Sequence, residues 1–490
     1  MKVSESVERK SVISGLFWKF SEILCTDGVS FIVSVVLARL LMPEEYGQIA
    51  LVNVFVTFAN VFVVNGLGTA LIQKKNADNL DFSSVLYFNF GFSLVLYLIL
   101  YSAAPYVASF YGDMQLTAIL RVLGLKIPIA SINSIQNAYV SRNMMFKKLF
   151  IVNLSSTFVS GIIGIVMAYS GFGVWALVGQ VLVSAITGTI VTAMVTKWRP
   201  ILDFSWSRLK GLIDYGWKIL ASSLIKVGYD QLSDLIIGKL YSSGDLAFYS
   251  RGKKYPALVV DSINSSISSV LFPAISKQQD SPERVKAMVR RSIKTSTYVL
   301  VPLLFGMAAL AEPMIEFMLT EKWLPCVPYL RVACIYYALQ PVQTANLQAI
   351  RAVGRSDIIL KLDIIKRGLG VVFLLLLMGR GPMGVALAPV GMSVVALVIN
   401  IKPNIKLICY SYKEQFADLL PNLLLSLSMA FVVYGLNNIF STIITSNLIL
   451  IIIGVFVGGI YYVLVSVILK NESFTYLWNM IRNYLPKKKN

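Results

Sequence analysis

The sequence predicts an all-α integral membrane protein with about 14 transmembrane helices. Runs of about 20 or more mostly apolar residues recur along the chain, each long enough to cross the roughly 30 Å hydrocarbon core of a bilayer. Hydrophobic residues make up 56% of the 490 residues and charged residues only 14%, where soluble domains carry roughly a quarter. The runs are too long, and alternate too little, for the strands of roughly 10 residues that build a membrane β-barrel.

Each predicted span is an apolar run bounded by charged residues, glycine or proline. The first six cover 12–40, 48–72, 84–109, 115–140, 149–169 and 172–196. The next six cover 211–241, 255–275, 292–319, 325–350, 358–378 and 382–407. The last two cover 416–439 and 444–469. We expect bends near Gly28, Pro128, Pro302 and Pro341, where residues of these types weaken or interrupt helical hydrogen bonding.

Basic residues are distributed unevenly between the two sides of the predicted bundle. Of the 44 Lys and Arg residues, about 29 fall in the tails and every second loop, and about 7 on the opposite side. By the positive-inside rule, both termini are predicted to be cytoplasmic. The net charge of +19 is then explained by this asymmetry and by contact with anionic lipid, and requires no nucleic acid. The N-terminus lacks a cleavable signal pattern, so the first helix is expected to remain as an anchor.

An internal repeat relates the first six spans to the next six. The triplet LRV at 120–122 returns at 330–332, and 171–177 resembles 381–387. Near the first span the offset falls from 210 to about 200, which we attribute to a longer loop at 276–292. Copies of six crossings keep the same orientation, so they should be related by an axis along the membrane normal. The predicted domains are a tail (1–10), an N-lobe (11–196), a linker (197–210), a C-lobe (211–407), two extra helices (408–470) and a basic tail (471–490).

Spans 1 and 7 carry polar side chains four residues apart, which keeps neighbours on one helical face. Because charges within spans usually face a bundle interior or a wet cavity, the two stripes predict one central cavity. The polar stripe comprises Glu22, Thr26, Ser30, Ser34 and Ser222, and the candidates for binding a coupling ion are Asp230 and Asp234. The candidate cavity cations are Lys19, Arg39, Arg121, Lys218, Lys226, Lys239 and Arg331.

These cations suit a phosphate-bearing ligand, since charge-assisted hydrogen bonds strengthen where water is partly excluded. These charged residues also have an interpretation that involves no substrate. Lys226 and Asp230 are an i,i+4 pair that can neutralise each other, and an arginine near a span end often binds lipid headgroups. The chain has no histidine, its four cysteines form no CxxC pair, and no P-loop or nucleotide fingerprint occurs. We therefore predict no metal, no cofactor and no enzymatic activity.

Four stretches carry a family resemblance: 37–55, 66–89, 268–280 and 319–334. Together with the repeat and the two extra helices, they resemble the polysaccharide-transporter branch of the MOP superfamily, specifically Wzx-like exporters of colanic-acid and teichuronic-acid type. The resemblance implies a MATE-like fold. It also implies a flippase in the bacterial cytoplasmic (inner) membrane that serves lipopolysaccharide or exopolysaccharide biosynthesis.

The substrate that this resemblance implies is an undecaprenyl-diphosphate-linked oligosaccharide, moved to the outer leaflet by alternating access. Membrane lipids, a proton or sodium ion and a polysaccharide polymerase are the further expected partners. The main alternative is a MATE-like multidrug exporter, for which we expect an acid-dominated, aromatic cavity rather than these cationic spans. A non-transporting scaffold would not need charges on two symmetry-related helices, and a twelve-helix sugar porter is disfavoured by the helix count.

Overall fold

The computed structural model describes residues 25–484, and within that range every regular element is a helix. This part of the chain forms two compact units, the first ending at Ala247 and the second beginning at Phe248. Within it, 10 helical segments are long and apolar enough to cross a membrane, so the protein is a multi-pass membrane protein. The predicted number of 14 is consistent with this result. Of the four predicted spans that are not among the 10, span 1 begins outside the described residues, spans 7 and 11 are rich in charge, and the second half of span 10 is polar.

The first unit contains nine described helices. They are α1 (25–40), α2 (Pro43–Val64), α3 (Leu67–Gln73), α4 (Asn79–Tyr111), α5 (Gln115–Gly124), α6 (Lys126–Arg142), α7 (Phe146–Tyr169), α8 (Val174–Thr196) and α9 (Trp206–Leu240). α2 packs on α6, α4 on α5 and α6, and α7 on α8. α9, the first helix of the predicted C-lobe, packs on α2, α3 and α4. The lobe boundary at 211 stays a prediction.

The second unit continues α10, which begins in the first. Its helices are α10 (Ser243–Ser276), α11 (Pro282–Ala309), α12 (Ala311–Leu319), α13 (Val327–Ala338), α14 (Gln340–Ala352), α15 (Ser356–Leu377), α16 (Pro382–Leu407), α17 (Tyr412–Phe440), α18 (Asn447–Ile468) and α19 (Glu472–Tyr484), with short 3₁₀ turns at Glu321–Cys326 and Met378–Arg380. α17, outside the repeat, packs along α11 and α18, and α18 also contacts α12.

Prolines interrupt several predicted spans. The break between α5 and α6 lies three residues before Pro128, and the break between α13 and α14 lies two residues before Pro341. The break between α11 and α12 lies three residues before Pro313. A proline has no N–H for the carbonyl four residues earlier and clashes with it, so the helix restarts. The bends expected near Pro128 and Pro341 are confirmed, whereas the helices continue through Gly28 and Pro302.

Gly66 separates α2 from α3 within the predicted span 48–72. Its φ of 114° lies in a region that glycine enters at little cost. A Cβ at this position would lie 3.0 Å from the carbonyl oxygen of Gly216 on α9. The break therefore brings two backbones into direct contact, which two glycines allow.

The structure corrects the expectation for one polar segment and shows a helix in another. The loop predicted at 276–292 is wrong, because α10 ends at Ser276 and α11 begins at Pro282, a residue type favoured in the first helical turn. The basic tail at 471–490 contains an amphipathic helix, α19, whose Phe474 and Leu477 pack against the core of α17 and α18. Both segments are helical because tertiary contacts cover one of their faces.

Candidate functional site

α9 carries its part of the predicted stripe on one exposed face. The exposed members are Lys218, Ser222, Lys226 and Asp230, and Asp234 is half-buried one turn further. Two positions of α9 make close contacts: Gly216 meets the backbone of Gly66, and Ile237 is fully buried. Ile237 lies seven residues after Asp230 and so on nearly the same helical face, which means that the polar stripe gives way to a buried apolar contact toward the end of the helix. α9 therefore exposes its stripe over 218–230 and packs closely on its neighbours beyond both ends of that stretch.

The stripe on α1 is described only in part. Lys19 and Glu22 lie outside the described residues. Thr26 and Ser34 are half-buried, and Ser30 and Arg39 are exposed. Val33, seven residues after Thr26 and so on nearly the same helical face, lies against α7, where a Cβ on Gly161 would come within 2.5 Å of its Cγ2. Part of the α1 stripe therefore borders a close helix contact.

Lys239, predicted as a cavity cation, has a structural partner. Its ammonium donates a hydrogen bond to the carbonyl of Phe110 and lies 4.0 Å from the centre of the Phe110 ring. The last carbonyls of a helix lack intrahelical donors and carry partial negative charge. Lys239 therefore joins the end of α9 to the end of α4.

Arg121 and Arg331, which the repeat relates, have the same structural role in their own units. Arg121 Nε donates to the carbonyl of Tyr101 at 3.3 Å, and Pro105, four residues further along α4, cannot supply the usual helical N–H. Arg331 Nε donates to the carbonyl of Ala308 at 3.2 Å, in the last turn of α11. Each guanidinium satisfies a carbonyl that a helix irregularity leaves without a donor. Their predicted contact with substrate stays a prediction.

The stretch 66–89, one carrier of the family resemblance, builds an ion-pair cluster at the start of α4. Asp78 caps α4 by accepting a hydrogen bond from the Asp81 amide at 3.0 Å. The fully buried Asp81 carboxylate pairs with Lys74 at 2.6 Å and with Arg208 at 3.7 Å. Arg208 also hydrogen-bonds Asp78 and thereby lowers the pKa of that carboxyl. The cluster holds α3, α4 and the start of α9 together.

A polar ladder that the sequence analysis missed joins α11 to α17. Its members lie four residues apart on each helix, Lys286, Arg290 and Lys294 facing Glu414, Asp418 and Asn422. Asp418 is only 3% exposed and accepts two hydrogen bonds from Arg290, at 2.6 and 2.9 Å. Lys294 lies 3.0 Å from the same carboxylate. The spacing of four was visible in the sequence, but the α11 half falls in the segment predicted as a loop.

The described residues contain no group of three or more His, Cys, Asp or Glu side chains placed to hold a metal ion. Several charged side chains instead pair across helices, as Arg208 and Arg290 do, and others lie exposed on α9. Such an arrangement can bind an anion through lysines and hydroxyl groups.

The long apolar helices identify a multi-pass membrane protein, and one of the other helices has a charged face. Comparison with solved structures shows which fold these helices form. The chain is similar to the lipid II flippase MurJ in an inward closed conformation, with a TM-score of 0.76, 15% identity and coverage of 94% of this chain and 99% of that chain. It is also similar to an inward-facing multidrug resistance MATE family transporter of the MOP superfamily, with a TM-score of 0.58, 14% identity and coverage of 79% and 99%. The predicted MOP and MATE-like fold is confirmed.

The polysaccharide biosynthesis protein family matches residues 36–328, more than half of the chain, and the protein belongs to that family. A relative in Rhizobium meliloti (strain 1021), the succinoglycan biosynthesis transport protein ExoT, is 24% identical over 73% of this chain and 72% of its own length. The teichuronic acid biosynthesis protein TuaB of Bacillus subtilis (strain 168) is 23% identical over 87% of this chain and 89% of its own. The predicted resemblance to the polysaccharide-transporter branch is confirmed.

Proposed function

We propose that this protein is a flippase that moves an undecaprenyl-diphosphate-linked oligosaccharide from the cytoplasmic to the outer leaflet for surface polysaccharide biosynthesis. The observation that carries the proposal is membership of the polysaccharide biosynthesis family over residues 36–328. Two further findings support it: ExoT is named a transport protein, and the solved structure that this fold matches over 94% of the chain is a flippase. The activity is transport, with no covalent chemistry assigned to the chain.

The proposed membrane is the bacterial cytoplasmic membrane, with both termini on the cytoplasmic side. The support for this orientation is the excess of Lys and Arg in the tails and every second loop. The segment around α11 is one of the most basic of these, with Arg284, Lys286, Arg290, Arg291 and Lys294 in its first half. A polysaccharide polymerase is the proposed protein partner.

The proposed substrate contact is the exposed face of α9. Lys218 and Lys226 would pair with the diphosphate. Ser222 lies between them, and its hydroxyl group can form a hydrogen bond with a sugar hydroxyl. Asp230 and Asp234 would exchange a proton or a sodium ion during the transport cycle. The support is that four of these five side chains are exposed although they lie in the predicted span 211–241, where unsolvated charge would be costly.

The first test is lipid analysis of a deletion strain. Lipid extracts are analysed by mass spectrometry for undecaprenyl-diphosphate-linked oligosaccharides. We expect a complete repeat unit to accumulate while surface polymer is lost, because synthesis continues and translocation stops. An unchanged lipid-linked pool together with increased drug sensitivity would refute the flippase and favour a multidrug exporter.

The second test addresses the site. Lys226→Ala should abolish surface polysaccharide while the protein remains at normal levels in the membrane. Lys402→Ala, at an exposed lysine near the end of α16, is the matched control and should support normal export. Full polysaccharide in the Lys226→Ala strain would remove this lysine from the site without affecting the proposed substrate.

A further inference from the structure

A cavity of about 560 Å³ lies in the second unit between α11, α17, α18 and the start of α19. Its polar end contains Arg290 and Lys294 from α11, Asp418 and Asn422 from α17, and Lys470 just after α18. Its other wall is apolar and consists of Leu424 and Leu425 on α17 with Val465 and Leu469 at the end of α18. The cavity is therefore amphipathic along its length, with charge at one end and hydrocarbon at the other.

The polar end has a surplus of positive charge. Asp418 and Glu472 are its acids, and Lys294 pairs with both of them. Arg290 shares the Asp418 carboxylate but keeps 46% of its side chain exposed. Lys470 is exposed and forms no ion pair with any residue between 25 and 484. Three cations against two acids leave the mouth of the cavity able to attract an anion.

Lys470 occupies a backbone position that suits glycine. Its φ is +47°, in the left-handed region where the residue following a helix is usually glycine or asparagine. A lysine there is conformationally disfavoured, and such outliers cluster at binding sites. Lys197 after α8 has the same conformation, so the turn by itself identifies no ligand. It does mean that glycine can replace Lys470 without strain, which allows the ammonium group to be tested separately from the fold.

The surroundings of the cavity are typical of a membrane interface. α19 packs through Phe474 and Leu477 while Tyr476 and Trp478 are 36% and 57% exposed. Tyrosine and tryptophan are enriched at the level of the lipid headgroups. On the apolar side Leu424 and Leu469 are 53% and 66% exposed, as expected for side chains that contact lipid. The mouth thus lies where headgroups end and acyl chains begin.

We propose that this cavity binds one anionic phospholipid. The phosphate lies between Arg290 and Lys470, and one acyl chain follows the seam between α17 and α18. The side-chain amide nitrogen of Asn471 donates one hydrogen to Asn422 and has a second one available for the headgroup. The occupant is a lipid of the surrounding membrane rather than free phosphate, because leucine and valine side chains of α17 and α18 line the cavity beside its polar end. The site lies within the second unit alone and does not depend on the substrate of the flippase.

The test is a lipid titration of the purified full-length protein, read by native mass spectrometry. The probes are phosphatidylglycerol and phosphatidylcholine with the same acyl chains. The wild type should bind one phosphatidylglycerol more tightly than phosphatidylcholine. Lys470→Gly suits the local backbone and should keep or raise the melting temperature, but it should weaken phosphatidylglycerol binding about fivefold to tenfold and leave phosphatidylcholine unchanged. Lys470→Arg should retain the preference.

Two further variants make the result decisive. Lys406→Glu changes an exposed lysine in the last turn of α16, outside the cavity, and should leave the preference intact. Leu424→Trp narrows the apolar wall and should weaken both lipids equally. Equal affinity of the wild type for the two lipids, or an unchanged preference in Lys470→Gly, would overturn the proposal. An equal loss in Lys406→Glu would show that only the general surface charge attracts the lipid, and would overturn it as well.

Discussion

Replacing Asp418 by asparagine tests whether the ladder between α11 and α17 holds the two extra helices in place. The carboxylate is 3% exposed and neutralises Arg290 and Lys294. Asparagine keeps the volume but removes the charge and turns an N–H toward one of the donors. Breaking a buried ion pair on one side typically costs about 3–5 kcal/mol. Because Arg290 is 46% exposed and Lys294 keeps Glu472, we expect the lower end of that range, about 3 kcal/mol.

The matched control is Glu414→Gln on the same helix. Glu414 pairs with Lys286 at 2.6 Å, but its side chain is 39% exposed, so the loss should stay within about 1 kcal/mol. Thermal unfolding of the purified variants in one detergent, followed by intrinsic fluorescence, gives the comparison. Asp418→Asn should lower the melting temperature by several degrees and Glu414→Gln by much less.

A double-mutant cycle with Arg290→Gln separates the pair from its surroundings. Directly bonded charges should couple, so the loss in the double variant should be smaller than the sum of the single losses by about 1–2 kcal/mol. Equal melting temperatures for Asp418→Asn and Glu414→Gln would refute the reasoning. Strict additivity in the cycle would show that Asp418 acts through something other than Arg290.

Arg121→Gln should destabilise the protein by about 1–3 kcal/mol, because it leaves the Tyr101 carbonyl, which Pro105 cannot serve, without a hydrogen-bond donor. In a Pro105→Ala background, which restores the helical N–H, the same change should cost less. Equal losses of stability in the two backgrounds, measured by thermal unfolding, would contradict this role. Gly66→Ala should cost about 1–3 kcal/mol, because its φ is 114° and the added Cβ would press on an α9 carbonyl, and an unchanged melting temperature would argue against that contact. Lys294 lowers the pKa of Glu472, so this pair stabilises the docking of α19 above the usual carboxylate pKa and loses that effect as the pH falls through the lowered value. A spin label on α19 should therefore gain mobility on acidification, and Glu472→Gln should abolish the pH dependence; a label equally mobile at both pH values in the wild type would count against it.

The spans were predictable because apolar runs of membrane length leave few alternatives. The prediction 382–407 coincides with α16, since Gly381 and Pro382 define the start of that helix in sequence as well as in structure. The helix breaks were harder, because Pro128 and Pro341 interrupt a helix while Pro302 does not. Whether a proline is tolerated depends on what neighbouring helices supply to the freed carbonyl, which local sequence does not contain.

The sequence identified polar residues within the predicted spans but not the contacts that they make. The repeat singled out Arg121 and Arg331, yet their hydrogen bonds go to carbonyls of α4 and α11 that become available only after those helices are packed. The segment at 276–292 was predicted as a longer loop to account for the change in the repeat offset. Most of it is helical, and its Lys286 and Arg290 pair with Glu414 and Asp418, more than 120 residues away, which local sequence does not reveal.

The polar face of α9 has an electrical consequence. Lys218 and Lys226 are its two basic residues and Asp230 and Asp234 its two acidic ones, so the formal charge of this face is zero. A displacement of the face along the membrane normal then moves no net charge through the transmembrane field, which is worth about 2.3 kcal/mol per elementary charge per 100 mV. The whole of α9 has five Lys or Arg residues and three Asp residues, and its net formal charge of +2 comes from residues toward its two ends. Voltage would act on those ends, on the anionic cargo and on an ion bound by the aspartates. Electrical measurements of turnover would then count the charges carried by cargo, ion and helix ends, with no contribution from the polar face.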